Sequence, residues 1–384
     1  MADSRHERFE GIELLRFVLA LGVVLFHFYF WGPHAGLIHY AAAGDSLLYL
    51  MFGVEAFFAL SGFVIILSAA GRRPVDFLIA RAARLGPTLL VASSLTLLLY
   101  VLLDGEPRIP QAGLEYFRSI FFFPLARLGS GLDPSLWSLS FEIRFYLLIF
   151  VCMCVFDVRR QALAIGIVLL AYDFLRTALP LMGHAFPSRF DYFKDYASFF
   201  VIGMLLYHRH VSGRTGPVWI AALLAAVALG TVRATALLSN MYDASLHLGH
   251  IQLWQGALVT AAILLLMGLA MQRVRHTALC RVFRVVGRAS YPLYVVHQLC
   301  GYWILNFCAQ RLHIHMDLRL PVVTGLVALS LMYGNWAESA LIRLYKNVLT
   351  DASRVVAALL SPRSWQPATF GEAASRAGPE SGQR

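Results

Sequence analysis

The chain has 384 residues, a formal charge of +10, 59% hydrophobic and only 14% charged residues, and a mean hydropathy of +0.65. Soluble domains usually hold about 25% charged residues, so this composition excludes an ordinary soluble protein and points to a chain that lies mostly in lipid. The basic residues do not form an arm that would bind nucleic acid; they recur in short clusters between apolar runs, as the positive-inside rule produces.

A spanning helix takes about 20 mostly apolar residues. On that ruler the sequence predicts an all-α, polytopic transmembrane bundle of about ten helices, over 12–31, 46–70, 85–103, 136–156, 161–179, 195–208, 217–238, 251–271, 289–309 and 320–343. Residues 1–11 form a polar N-terminal segment, 12–345 the membrane domain, and 346–384 a tail whose Pro, Gly, Ser and Ala content predicts disorder toward its end. No small-residue cleavage site follows the first apolar run, so it reads as a retained helix. With the N-terminus inside, the cytoplasmic segments collect 22 of the 32 Lys and Arg and the outer ones 9, which places both termini in the cytoplasm. The spacing of the five cysteines suits neither zinc nor a disulfide framework, so no metal site is expected.

Ionisable residues inside membrane helices are costly and are functional candidates by default. The first helix carries Arg16 and His27, eleven residues apart. At about 100° per residue, eleven steps return to within roughly 20° of the start and climb about 16 Å. One face therefore presents a cation near the cytoplasmic mouth and an imidazole toward the outer side. A snorkelling anchor for Arg16 and a packing role for His27 are the plainer alternatives. The second helix reads Gly53-Val54-Glu55-Ala56-Phe57-Phe58-Ala59-Leu60-Ser61-Gly62-Phe63. Glu55 is a carboxylate in an apolar run, and Ser61 and Gly62 let neighbouring backbones approach. Arg81 and Arg84 share a face at the start of the third helix. Two guanidiniums there suit a phosphate, or simply mark the cytoplasmic side. The fourth helix reads Trp137-Ser138-Leu139-Ser140-Phe141-Glu142-Ile143-Arg144-Phe145-Tyr146. Its Glu142 lies at a depth suited to partner His27, or it pairs with Arg144. In the ninth helix Tyr291, Tyr294 and His297 follow at i,i+3 steps along one stripe, either core packing or the wall of a wet pocket.

These segments, in this order from about residue 10 to residue 345, resemble the acyltransferase-3 family of bacterial membrane-bound O-acyltransferases. The sequence departs from the usual pattern in having Glu55 for Asp, Ile143-Arg144 after Glu142, and Glu338-Ser339-Ala340 without a Pro near the last helix. The resemblance implies transfer of an acyl group, commonly acetyl, from a cytoplasmic donor such as acyl-CoA to a hydroxyl of an extracytoplasmic glycan or lipid-linked acceptor, at a cell membrane. It implies no bound cofactor, and neither nucleic acid nor a set oligomeric state enters. His27 would be the general base, because an imidazole has a suitable proton affinity. Glu142 would orient it. Arg81, Arg84 and Arg16 would bind the donor's phosphates, with Glu55, Ser61, Tyr291, Tyr294 and His297 lining the pocket.

Two other classes compete. A secondary transporter would use His27, Glu55 and Glu142 as a proton relay, although no repeat or paired broken helices support it. A non-catalytic scaffold of a glycan-assembly complex would leave the arginines without a purpose. The charge asymmetry makes a direct prediction: reporter fusions at residue 384 and within 104–135 should read opposite sides of the membrane. The same side for both contradicts the topology.

Overall fold

A computed structural model describes residues 9–103, 109–122, 132–213, 215–245, 251–274, 276–314 and 316–360. Most of the N-terminal segment, parts of the 104–135 loop and the tail beyond Leu360, with its predicted disorder, lie outside the described residues. Among those described there is helix and no strand. Every predicted span coincides with a helix: α1 (Glu10–His34), α2 (Asp45–Ala69), α3 (Pro74–Leu103), α4 (Pro134–Val155), α5 (Val158–Leu181), α6 (Ala197–Ser212), α7 (Pro217–Ser245), α8 (Leu253–Ala270), α9 (Thr277–Gln310) and α10 (Arg319–Val356). Among the described residues, eight helices are long and apolar enough to cross a membrane. The two outside that measure are α6, with 16 residues, and α9, which sets Arg281, Arg284 and Arg288 ahead of its polar stripe.

The helices exceed the apolar runs where charge sits on a helix end. Pro74 opens α3 eleven residues before its predicted start, because proline fits the first helical turn and Arg73 Nε donates to Asp76 at 2.7 Å there. A hydropathy ruler begins only after Arg81 and Arg84. The last helix likewise runs on past its apolar run to Val356 and carries Arg343, Lys346 and Arg354.

At the centre stand α2 and α6. A Cβ on Gly62 would overlap the Phe200 carbonyl oxygen, and one on Gly203 would overlap that of Ala59. The two backbones therefore touch, which is how small residues join helices that gain little from the hydrophobic effect in lipid. α1 lies along α9, where Gly301 faces the Phe28 ring. Among the described residues there are three π-helical turns, His27–Trp31 in α1, Tyr333–Ala337 in α10 and Arg118–Phe122 between α3 and α4.

Charged clusters lock other helices. Arg233 of α7 donates to the buried Asp173 of α5 at 3.0 Å and to Thr177 at 2.7 Å, and its other nitrogen lies 3.2 Å from Asp195. Arg176 joins Asp191 and Asp195 at 2.7 Å each. Arg319 grips Asp317 at 2.6 Å, donates to the Ala41 carbonyl at 2.7 Å and covers the Tyr29 ring. Its guanidinium keeps the Asp317 carboxyl below the usual carboxylate range.

Gly203→Val should lower stability in detergent by at least about 1–3 kcal/mol, because it overpacks the α2–α6 contact. Gly268→Val, at a position with nothing within 4 Å, should leave it near wild type. Equal melting temperatures for the two variants contradict the contact.

Candidate functional site

Two groups of side chains meet in the bundle. The first lines a cavity of about 220 Å³ and contains Arg16, Ser61, Arg81, Arg84, Glu142, Tyr291 and Tyr294, brought together from α1, α2, α3, α4 and α9. Apolar walls from Val54, Phe57, Leu60, Val64 and Leu139 complete it.

The three arginines differ in how far they are neutralised. Arg84 Nη1 donates to Glu338 Oε1 at 2.6 Å. Thr88 donates to the same oxygen at 3.3 Å and accepts from the Tyr333 hydroxyl at 3.2 Å. Glu338 follows directly on the π turn of α10. Arg16 approaches Glu13 at 3.8 Å. Arg81 forms no ion pair among the described residues; its Nε is buried without a hydrogen-bond partner, and its guanidinium lies 5.9 Å from the Phe77 and Tyr146 ring centres. A desolvated, unpaired cation is costly, so the cavity is receptive to an anion at Arg81.

The second group is a histidine pair between α1 and α9. His297 is fully buried, and its Nδ1–H donates to the Tyr294 carbonyl at 2.7 Å. A carbonyl only accepts, so in the neutral ring Nε2 of His297 is bare. That nitrogen lies 3.1 Å from His27 Nδ1, which also lies 2.9 Å from the Val23 carbonyl. The proton on His27 therefore sits on Nδ1 and is shared between His297 and Val23. The lone pair left on His27 is at Nε2. A ring oriented and fixed in tautomer through its other nitrogen is the arrangement of a base ready for use. The π turn that starts at His27 supports it, since the Tyr302 hydroxyl donates to the His27 carbonyl at 3.0 Å. Such turns recur at functional sites.

Three expectations need correction. Glu142 does not orient His27: it accepts from the Tyr146 hydroxyl and, at 3.4 Å, from Ser61. The depth argument failed because α9 meets α4 near its start: Ser138 bonds Tyr294 and Asp133 bonds the Leu299 N–H, so the part of α4 level with His297 lies at least one turn before Glu142. His297, counted with the pocket, is not among its lining residues; it stands behind Tyr294, their ring centres 5.8 Å apart, and is the side chain that hydrogen-bonds the His27 ring. Glu55 is not among the cavity's lining residues; it is 2% exposed in the α2–α6 region, near Asp195 and Tyr196, and its Oε2 has no hydrogen-bond partner. Among the described residues, no hydrogen bonds join His27, Glu55 and Glu142 into a relay.

Sequence reasoning missed Glu338 as the partner of Arg84, and the Asp173–Arg233 pair. All three are ionisable residues within long helices, so the rule that singled out Glu142 could have found them. Asp133 gave no such signal. It accepts from Ser135 N at 2.8 Å and from Leu299 N at 3.1 Å, and so ties the start of α4 to α9 next to the histidines.

Residues 9–334 match the profile of a family described as an acyltransferase domain. No curated protein and no solved structure matches the chain.

Arg84 and Glu338 should behave as a coupled pair. Arg84→Ala and Glu338→Ala should each lower stability, and the double variant should be less destabilised than their sum, with a coupling of about 0.5–3 kcal/mol. Strict additivity in a thermal double-mutant cycle would show that the two do not interact.

Proposed function

Because this chain belongs to the acyltransferase-3 family and is a multi-pass membrane acyltransferase, we propose that it moves an acyl group, acetyl in the first place, from acyl-CoA to a hydroxyl of a glycan or lipid-linked acceptor on the far side of a bacterial cell membrane. In this reading ten helices cross the bilayer and both termini are cytoplasmic. The observation that carries it is the order of groups along α1 and α9: an anion-receptive arginine cavity, then Tyr294, then a histidine whose free lone pair is fixed by its neighbour.

The donor's phosphates bind Arg81 first, since it alone of the three cavity arginines has no carboxylate partner among the described residues. Arg16 and Arg84 add charge at the same mouth. The guanidinium fork suits phosphate oxygens better than a lysine would. The pantetheine arm runs along Val54, Leu60, Val64 and Leu139, and the thioester comes to rest near Tyr294. About 16 Å of helix separates Arg16 from His27, so the arm covers the distance that the charged end does not travel.

At the far end the acceptor hydroxyl meets His27. Nε2 takes the hydroxyl proton as the oxygen attacks the thioester carbonyl. The C–S bond breaks, the new ester keeps the acyl group, and the proton returns from His27 to the departing thiolate. His297 holds the imidazolium through the Nδ1–H bond while it lasts. Its own Nδ1–H stays on the Tyr294 carbonyl, so it remains an acceptor throughout.

Purified protein in liposomes with radiolabelled acetyl-CoA should consume the donor, and Arg81→Ala should raise the donor's KM by the equivalent of about 1.5–3 kcal/mol, the worth of a charged contact. Arg81→Lys should recover only part of it. Donor saturation that is unchanged in a correctly inserted Arg81→Ala protein contradicts this site. A wild-type protein that consumes no acetyl-CoA in the presence of membrane glycans contradicts the whole reading.

A further inference from the structure

The Tyr294 ring lines the arginine cavity and lies against His297, and Phe57 stands beside it to form a wall of two rings. Tyr294 and Phe57 both line the cavity, and their ring centres are 5.9 Å apart at 65°. Tyr294 cannot yield easily. Its hydroxyl donates to the Ser135 carbonyl at 3.2 Å and, since that spends its proton, accepts from the Ser138 hydroxyl at 2.6 Å. Its backbone carbonyl holds His297. Phe57 makes no such bonds. It is partly buried and packs against both hydrophobic cores of the bundle, the larger one around α2 and α6 and the smaller one between α1 and α9.

We infer that Phe57, packed against the tethered Tyr294, sets the length of the acyl group, admitting acetyl and excluding longer chains. The inference rests on the donor reading given above. For the acceptor oxygen to touch both His27 and the thioester carbonyl, the acyl group has to sit at this wall. A methyl group ends there. Each further methylene has to displace a ring, and the ring free to move is Phe57, at the cost of its packing on two cores. Tightly packed sites respond to a single added methylene, and one methylene of misfit in an apolar pocket is worth about tenfold or more in discrimination.

The test uses the full-length protein in nanodiscs and equilibrium binding of CoA, acetyl-CoA, butyryl-CoA and hexanoyl-CoA. Wild type should bind acetyl-CoA at least as well as CoA, and hexanoyl-CoA at least about tenfold more weakly than acetyl-CoA. Phe57→Ala should bring hexanoyl-CoA to within about threefold of acetyl-CoA, with Phe57→Leu in between. Each variant's acyl-CoA affinities are taken as ratios to its own affinity for CoA, so that any change at the donor mouth cancels and only the acyl preference is read. Wild type binding hexanoyl-CoA as tightly as acetyl-CoA overturns the inference, and so does a Phe57→Ala protein that binds CoA normally yet discriminates as wild type does. Failure of CoA itself to bind wild type overturns the donor reading, and this inference with it.

Discussion

The bond from His27 Nδ1 to His297 Nε2, 3.1 Å long, depends on two backbone carbonyls and gives the rest of the site its direction. The Tyr294 carbonyl fixes the proton of His297 on Nδ1. That choice makes His297 Nε2 an acceptor, which in turn fixes the proton of His27 and exposes its other nitrogen. No carboxylate is needed for this chain of consequences. In a bilayer that matters, because a neutral pair costs far less to bury than a histidine held by an ion. The helices are shaped around it. α1 takes a π turn at His27, Tyr302 holds the carbonyl of that turn, and Asp133 fastens the start of α4 to the backbone beside His297.

The same economy explains the charged end. A membrane bundle tolerates buried guanidiniums when each finds a partner. Arg84 has Glu338, and Arg233 has Asp173. Arg81, among the described residues, has two aromatic rings beside it, an unpartnered nitrogen and no ion pair. Leaving one cation unpaired next to a cavity lowers stability locally and provides a place for an anion from outside. Glu142, rather than serving the histidine, sits among the hydroxyls of Ser61 and Tyr146 in that cavity, where it balances part of the positive field.

Much of this was legible in the sequence, for definite reasons. The ten long helices were visible because a lipid-facing run must be apolar, whereas the helical turns over Ile109–Phe117 and Arg118–Phe122, in the segment read as an outer loop, were not; Arg16 and His27 were visible because they break an apolar run. The fixed geometry of a helix put both on one face before any neighbour was known. What the sequence could not show was which polar residues meet. Glu142 and His297 are both intramembrane polar residues at reasonable depths, and choosing between them as the partner of His27 required the rotation and stagger of α4 and α9 against α1. Those depend on contacts such as Gly301 on the Phe28 ring, which no periodicity encodes. Helix ends carrying charge, as in α3 and α10, were cut short for the opposite reason: hydropathy reads lipid contact and not helix.

The most direct measurement compares His27→Gln and His297→Gln in cells that express the protein at equal levels, following base-labile acetyl groups released from the envelope. If His27 is the base and His297 its positioning partner, His27→Gln abolishes the signal, a loss of roughly 100- to 10,000-fold for a general base. His297→Gln, whose side-chain oxygen can still accept the His27 proton, keeps a larger share of activity than His297→Ala. His27→Gln with wild-type acetylation would contradict the mechanism outright.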